Sequence, residues 1–429
     1  MNKASFQVRP AFWGVFIVFL VGLTGYAFTG ARIYTRVLSF SAILIVLAFL
    51  WTYISLRGVT LNRTARFLRQ QVGQVFEERF EVNNQYPVTK LWLDIRDQSN
   101  LPGRSGSKVL TVVGPRQRRS YVAYTRLTHR GQFHLGPTLL SSGDPFGLFR
   151  STRVIPGERS LLVLPHMAEL SHFVTPPGVL PGGRALRRRT LEITPYAAGV
   201  REYAPGDALN RIHWPTTARK DRLMVKEFDQ DPMADVWILL DANDGVQLSL
   251  PDDNPLPDPT TERHWLWRQQ QRVTLPNHTF EYAISAAASI ASYFMRAGRA
   301  VGVASAGQAF TAISAERSER QLGKILETLA YLQPEGELPV FGLIQAQAPY
   351  LPRGSTVILI TPSLDKNIEA GVEEMIRRSL QPVVVLIDRS SFGGRRHADE
   401  MVSRLRARRV PVALLRRGED IRATMEAAH

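Results

Sequence analysis

The 429-residue sequence has no cysteine. That absence excludes a disulfide framework and a thiolate metal site, and it leaves oxidising and reducing compartments equally open. A phosphate-cradling glycine loop is missing too: Pro181-Gly182-Gly183 and Phe392-Gly393-Gly394 come without the lysine and hydroxyl neighbours such a loop needs. His166, His172, His264 and His278 stand alone, at no metal-ligand spacing. Charge is absent from residues 11–29 and 37–56, runs of nineteen and twenty positions. Each run is long enough to cross the apolar part of a bilayer as a helix, and the seven residues between them suit a tight hairpin. A cleaved signal peptide fits the first run poorly, because no small-x-small site followed by a soluble segment separates it from the second.

Positive charge, by contrast, is in excess: 53 Lys and Arg against 38 Asp and Glu, a formal net charge of +15. Lys3 and Arg9 precede the first run, Arg32 and Arg36 lie between the two, and Arg57, Arg63, Arg66 and Arg69 follow the second. Under the positive-inside rule both outer flanks belong in the cytoplasm. The expectation is a multi-pass protein of the cytoplasmic membrane whose soluble domains face the cytoplasm. Attraction of the juxtamembrane arginines and of Arg184, Arg187, Arg188 and Arg189 to anionic headgroups accounts for the excess better than nucleic acid does. No basic stripe interleaved with aromatics supports nucleic-acid binding.

Residues 57–72 read as a short helix or extended arm leaving the membrane. Strand-forming segments follow at 75–83, 88–96, 108–113, 121–128, 131–139 and 160–164, divided by Gly, Pro and Asn turns, and they predict a small all-β domain, sandwich or barrel-like. Residues 144–149, Asp-Pro-Phe-Gly-Leu-Phe, read as a packed turn with Phe146, Leu148 and Phe149 plugging a sheet edge. The stretch 167–189 is loop-like and serves as the hinge. From 232 on, apolar runs at 234–240, 300–305, 356–360, 382–387 and 410–415 alternate with helical patterns at 280–296, 318–332, 368–380 and 397–408. That alternation predicts a doubly wound or three-layer α/β domain. The expected domains are 1–56, a transmembrane hairpin; 57–166, the β-rich domain; 167–231, hinge plus a charged motif; and 232–429, the α/β domain.

The charged motif spans 199–228 and concentrates Arg201, Glu202, Tyr203, Asp207, Arg211, His213, Trp214, Arg219, Lys226 and Glu227. So many opposite charges around two aromatics exclude an ordinary buried strand or amphipathic helix. An ion-pair network with Trp214 as apolar anchor, or a docking surface for a partner, suits it best. His213 has the pKa range for acid–base work, but no Ser or second His stands at a useful spacing. At the end of the strand at 234–240, Asp241 and Asn243, together with Thr361 from the strand at 356–360, offer oxygens of the kind magnesium takes. The alternative is that Asp241 caps the turn that follows it.

Arg201-Glu202-Tyr203, Pro205-Gly206-Asp207, Arg211-Ile212-His213-Trp214, Ala218-Arg219 and the run 223–228 together resemble the bacterial domain of unknown function 58 family. Arg130-Gly131, Gly136-Pro137 and the hexapeptide 144–149 add to the likeness. The resemblance implies a membrane protein ending in a von Willebrand factor A-like domain, of a kind often found alongside MoxR-type AAA+ ATPases and transglutaminase-like membrane proteins. It also implies a degenerate metal site. Asp241 matches the first position of the Asp-x-Ser-x-Ser pattern, whereas Asn243 and Gly245 replace both serines, so no cofactor is expected. The leading expectation is a non-enzymatic, membrane-tethered adaptor or scaffold that binds protein partners. Alternatives are a hydrolase or nuclease-like enzyme using Asp207, His213 and Asp241, and an extracytoplasmic adhesion protein of opposite topology.

Overall fold

The computed structural model describes residues 5–157, 159–174, 197–204, 212–228, 235–251 and 273–427. Contacts group the described residues into two units, those within 5–166 with 273–276, and those within 167–251 with 277–427.

The first unit opens with β1 (Ser5–Val8), α1 (Pro10–Thr29) and α2 (Arg32–Ser55). The two helices pack as an antiparallel pair, turned at Gly30, which takes the left-handed φ of 62°. Small residues let them approach: a Cβ on Gly22 would lie 3.0 Å from the Leu38 backbone nitrogen, and one on Gly25 would lie 2.3 Å from the Tyr34 ring. Glycines three apart on one face permit this closeness. Only 6% and 17% of their apolar windows are buried, which a helix pair inside a soluble core would not show.

Ten strands follow in this unit: β2 (Val59–Ala65), β3 (Arg69–Gln71), β4 (Val75–Asn84), β5 (Lys90–Asp97), β6 (Lys108–Val113), β7 (Arg118–Arg126), β8 (Gly131–Leu135), β9 (Thr138–Gly143), β10 (Phe149–Ile155) and β11 (Arg159–Leu164). They form sheets ordered β1-β10-β9-β5-β6, β2-β4-β7 and β3-β11-β8. Phe80, Val82, Leu93, Ile95, Val113 and Leu140 are fully buried in a shared core. Because β1 pairs with β10, residue 8 facing Phe149, the chain enters α1 and leaves α2 on the side where this β domain lies.

Three sequence expectations change here. The arm at 57–72 is β2 and β3: Val59 and Leu61 are buried while Thr60 and Asn62 are exposed, the period of a half-buried strand. The single strand at 131–139 is two strands in different sheets. Gly136 sits at φ 105° and Pro137 has no N–H for a ladder, so the run breaks there. The hexapeptide is a packed turn whose apolar residues part company. The buried Asp144 carboxylate accepts from the backbone N–H of Phe146, Leu148 and Phe149 at 2.8, 3.2 and 2.6 Å. Leu148 and Phe149 pack beneath Phe12, Val15, Leu44, Ile45 and Ala48 of the helix pair, whereas Phe146 is 58% exposed.

The second unit contains a hairpin, β12 (Ala197–Glu202) and β13 (Met224–Phe228), with α3 (Trp214–Lys220) between its strands. The α/β part comprises β14 (Val236–Leu240), α4 (Thr279–Arg296), β15 (Val301–Ala306), β16 (Phe310–Glu316), α5 (Glu319–Tyr331), α6 (Val340–Gln347), β17 (Thr356–Thr361), α7 (Asn367–Arg377), β18 (Gln381–Ile387), α8 (Asp399–Ala407), β19 (Val412–Leu415) and α9 (Ile421–Glu426). Its sheet runs β16-β15-β14-β17-β18-β19, parallel except for β16. Trp237, Leu239, Val357, Leu359, Val384 and Leu386 pack on α6, α7 and α8. The alternate residues Val236, Ile238 and Leu240 are also fully buried, with α4 against that strand. Both faces are covered, which is why the strands read as continuous apolar runs. The order reverses direction at β14, so its carboxyl end and that of β17 flank the switch point where open α/β sheets place ligands.

Candidate functional site

Asp241 follows β14 directly and is 1% exposed; Thr361 closes β17 and is fully buried. The Thr361 hydroxyl donates to Asp241 Oδ2 at 2.5 Å, and the Asn243 N–H donates to Oδ1 at 3.1 Å. Ser363 N–H in turn donates to Thr361 Oγ1 at 2.9 Å. Burial pushes the Asp241 carboxyl up to about 6, against the opposing pull of the Thr361 and Asn243 hydrogen bonds. The Asn243 side chain turns away and donates to the Glu337 carbonyl at 3.0 Å. Asp241 and Thr361 therefore meet, and Asn243 joins them only through its backbone. These residues do not fit a hard divalent cation, which takes six or more oxygens. There is one carboxylate, both its oxygens are occupied by N–H and O–H donors, and the third side chain presents its amide elsewhere. Among the described residues no group of three His, Asp or Glu converges.

The next strand end repeats the theme. Asp388 follows β18 and is 2% exposed; it accepts from Ser390 N–H at 3.0 Å and Ser390 Oγ at 2.8 Å, and Arg416 Nε lies 3.3 Å from its other oxygen. Beside it opens a crevice of about 960 Å3. Lys366, Arg389, Arg396, His397 and Arg404 line it, with Asp365 and Glu400 as the carboxylates. Arg404 is held by Glu369 and Glu400. Arg389 Nε is buried without a hydrogen-bond partner, and no described ion pair engages Lys366 or Arg396. The crevice thus holds donors in excess of acceptors, at the edge of the sheet where the fold presents ligand sites. Asp388, Arg389 and Arg396 were missed from sequence. Their signal was available: they follow the apolar run 382–387 as Asp241 follows the run 234–240.

The charged motif is described only in part. Asp207 and Arg211 lie outside the described residues. Arg201 pairs in register with Val225, Lys226 with Val200 and Glu227 with Gly199. Tyr203 N–H donates to the Leu223 carbonyl at 2.8 Å. His213 stands at the N-cap position of α3 without a side-chain cap: its Nδ1 lies 2.7 Å from Thr216 Oγ1, and its N–H donates to the Met224 carbonyl at 2.7 Å. No described hydrogen bond joins His213 to Asp241. Glu202 and Arg222 pair at 3.6 Å with side chains 63% and 69% exposed, a weak contact in high dielectric. Arg219 is exposed. Trp214, expected as an apolar anchor, is 65% exposed; what holds the hairpin is the burial of Ile212, Met224 and Val225.

Residues 199–249 match the family described as Protein of unknown function DUF58. It is similar to the Uncharacterized protein YeaD of Bacillus subtilis (strain 168), 23% identical over 239 residues. That match covers 55% of this chain and 52% of YeaD, so the chain spans about half the length of the curated relative it matches. Among solved structures, the CARDB domain of the PF1109 protein from Pyrococcus furiosus is similar over 24% of this chain and 91% of its own, at 11% identity and a TM-score of 0.17. The cupredoxin domain of amoB from Nitrosocaldus yellowstonii is similar over 25% and 87%, at 13% identity and a TM-score of 0.19. Scores this low carry no argument about fold, which rests here on strand order and register.

Proposed function

We propose that this chain is a membrane-tethered, non-enzymatic adaptor that binds an acidic segment of a protein partner in the crevice at the carboxyl edge of its α/β sheet. The carrying observation is the contrast at that edge. The carboxylates at the strand ends are closed by local donors, while on the neighbouring crevice Lys366 and Arg396 are exposed and no described ion pair engages them. Exposed ammonium and guanidinium groups beside a crevice favour the carboxylates of an incoming chain. Strand order with an antiparallel β16 at the edge supports reading this part as von Willebrand factor A-like. The long apolar helices and the arginines flanking them support two membrane spans with the soluble units in the cytoplasm. The partner class suggested by the family resemblance is a MoxR-type AAA+ ATPase.

The test is affinity capture from detergent-solubilised membranes, with and without ATP and magnesium, comparing the wild type with Lys366→Glu/Arg396→Glu. An AAA+ ATPase captured by the wild type and lost from the variant, with an unchanged unfolding midpoint, is the expected result. Equal capture by a folded variant overturns the crevice as the docking site. Turnover of a substrate that is abolished by Asp241→Asn overturns the non-enzymatic reading.

A further inference from the structure

We propose that a recess between α2 and β5 binds one anionic phospholipid, its phosphate on Lys90 and its acyl chains along the outer face of α2. This rests on the reading that α1 and α2 cross a membrane. The recess has a volume of about 200 Å3, and α2 lines it with Leu47, Leu50, Trp51 and Ile54. Those four are spaced to share one helix face. Across from them stand Val88 and Leu91, with Lys90 between.

Lys90 makes the recess more than a packing gap. It is 2% exposed, and its Nζ donates to the Ile54 carbonyl in the last turn of α2 at 2.7 Å. The ammonium also lies 5.2 Å from the centre of the Tyr86 ring. An ammonium has three N–H donors, and the carbonyl satisfies one. No carboxylate pairs with Lys90 among the described residues. A buried cation without a counter-charge is costly, and burial pulls the Lys90 pKa down to about 8, which leaves it charged at neutral pH. A phosphate oxygen in the recess would supply both the acceptor and the negative charge.

A lipid is the source of that phosphate because of where the recess opens. Leu47 and Leu50 on its rim are 58% and 47% exposed, on a helix whose apolar window is 17% buried; in a bilayer these side chains meet acyl chains. Trp51 adds an indole, a side chain favoured at the membrane interface. The volume is too small for a whole phospholipid, so only the glycerol-phosphate end enters. A zwitterionic lipid brings its own ammonium beside the phosphate and competes with Lys90, whereas phosphatidylglycerol does not.

The test uses full-length protein, delipidated in detergent and then given phosphatidylglycerol, phosphatidylcholine or inorganic phosphate, with native mass spectrometry reading the adducts. Wild type should hold one phosphatidylglycerol about tenfold better than phosphatidylcholine, and its unfolding midpoint should rise with the former. Lys90→Met should lose that preference. Leu50→Trp, which fills the recess and leaves Lys90 in place, should lose the adduct, and it keeps the test alive if Lys90→Met does not fold. Equal retention of the two lipids, retention unchanged in both variants, or displacement of the lipid by inorganic phosphate overturns the proposal. Carbonate extraction separates the two readings: release of the protein from membranes defeats the membrane assignment, while a membrane-retained protein that holds no phosphatidylglycerol defeats only the lipid site.

Discussion

Two clusters of charge, one in each unit, are built from the same residue types and arranged oppositely. In the β-rich unit, Arg63 on β2 reaches Glu78 on β4 at 2.7 and 2.8 Å and Asp97 on β5 at 2.9 and 3.1 Å, with Ser99 Oγ at 2.9 Å. Every partner is buried, and the cluster ties two sheets of the sandwich together. In the α/β unit, Lys366, Arg389 and Arg396 border a crevice with fewer carboxylates than cations. A closed cluster fixes geometry, because its fields are spent on its own members. An open one retains attraction for something outside, and that difference, more than the amount of charge, separates a structural site from a recognition site.

The comparison breaks first at Arg63. Arg63→Met leaves Glu78 and Asp97, 2% and 3% exposed, as buried carboxylates without their cation, and about 3–5 kcal/mol of stability should be lost. Denaturant unfolding of the full chain in detergent, with hydrogen exchange localising the loss to β4 and β5, measures it; a change under about 1 kcal/mol would mean the cluster is not closed. A double Lys366→Glu/Arg396→Glu change at the open cluster, where both side chains are exposed, should leave stability nearly intact while removing partner capture.

Asp241 gives the intermediate effect. Its folded-state pKa of about 6 lies above the ordinary 3.8, so the folded protein binds the proton more tightly than the unfolded chain. Its contribution is therefore fully present below about pH 4 and is lost as pH rises through 6, a span of about 3 kcal/mol. The unfolding midpoint of the α/β unit should rise as pH falls from 7 toward 4, and Asp241→Asn should flatten that slope. An identical slope in the variant refutes the assignment. The smallest effect belongs to the exposed pair: Glu202→Gln should cost less than about 0.5 kcal/mol, and a larger loss would favour the ion-pair network expected of the charged motif.

Elements whose signal is local were legible. Residues 11–29 and 37–56 announced helices through the lack of charge, and the runs at 234–240, 356–360 and 382–387 announced strands through continuous apolarity. Elements whose burial is incomplete or borrowed were not. In β16 exposed and half-buried residues alternate, with none fully buried, because it lies at the sheet edge. β1 has every residue exposed and exists only because β10 offers an edge to pair with. Arg63 read as a headgroup arginine because it follows an apolar run, and Trp214 read as an anchor because it is large.

The site shows the same division. Asp241 and Thr361 were named from their places at strand ends, and they meet. The crevice cations were not named, and Asp207 and Arg211 fall outside the described residues. From the chain alone came the two apolar helices, the β-rich segment, the α/β alternation and the identity of the charged residues, since each is written in neighbours a few positions apart. Whether a given charge is closed or open was decided only by the tertiary structure. Glu78 and Asp97 lie 15 and 34 positions from Arg63, Ile54 lies 36 from Lys90, and Thr361 lies 120 from Asp241; an electrostatic partner is set by distance in space, and only folding brings those positions within reach.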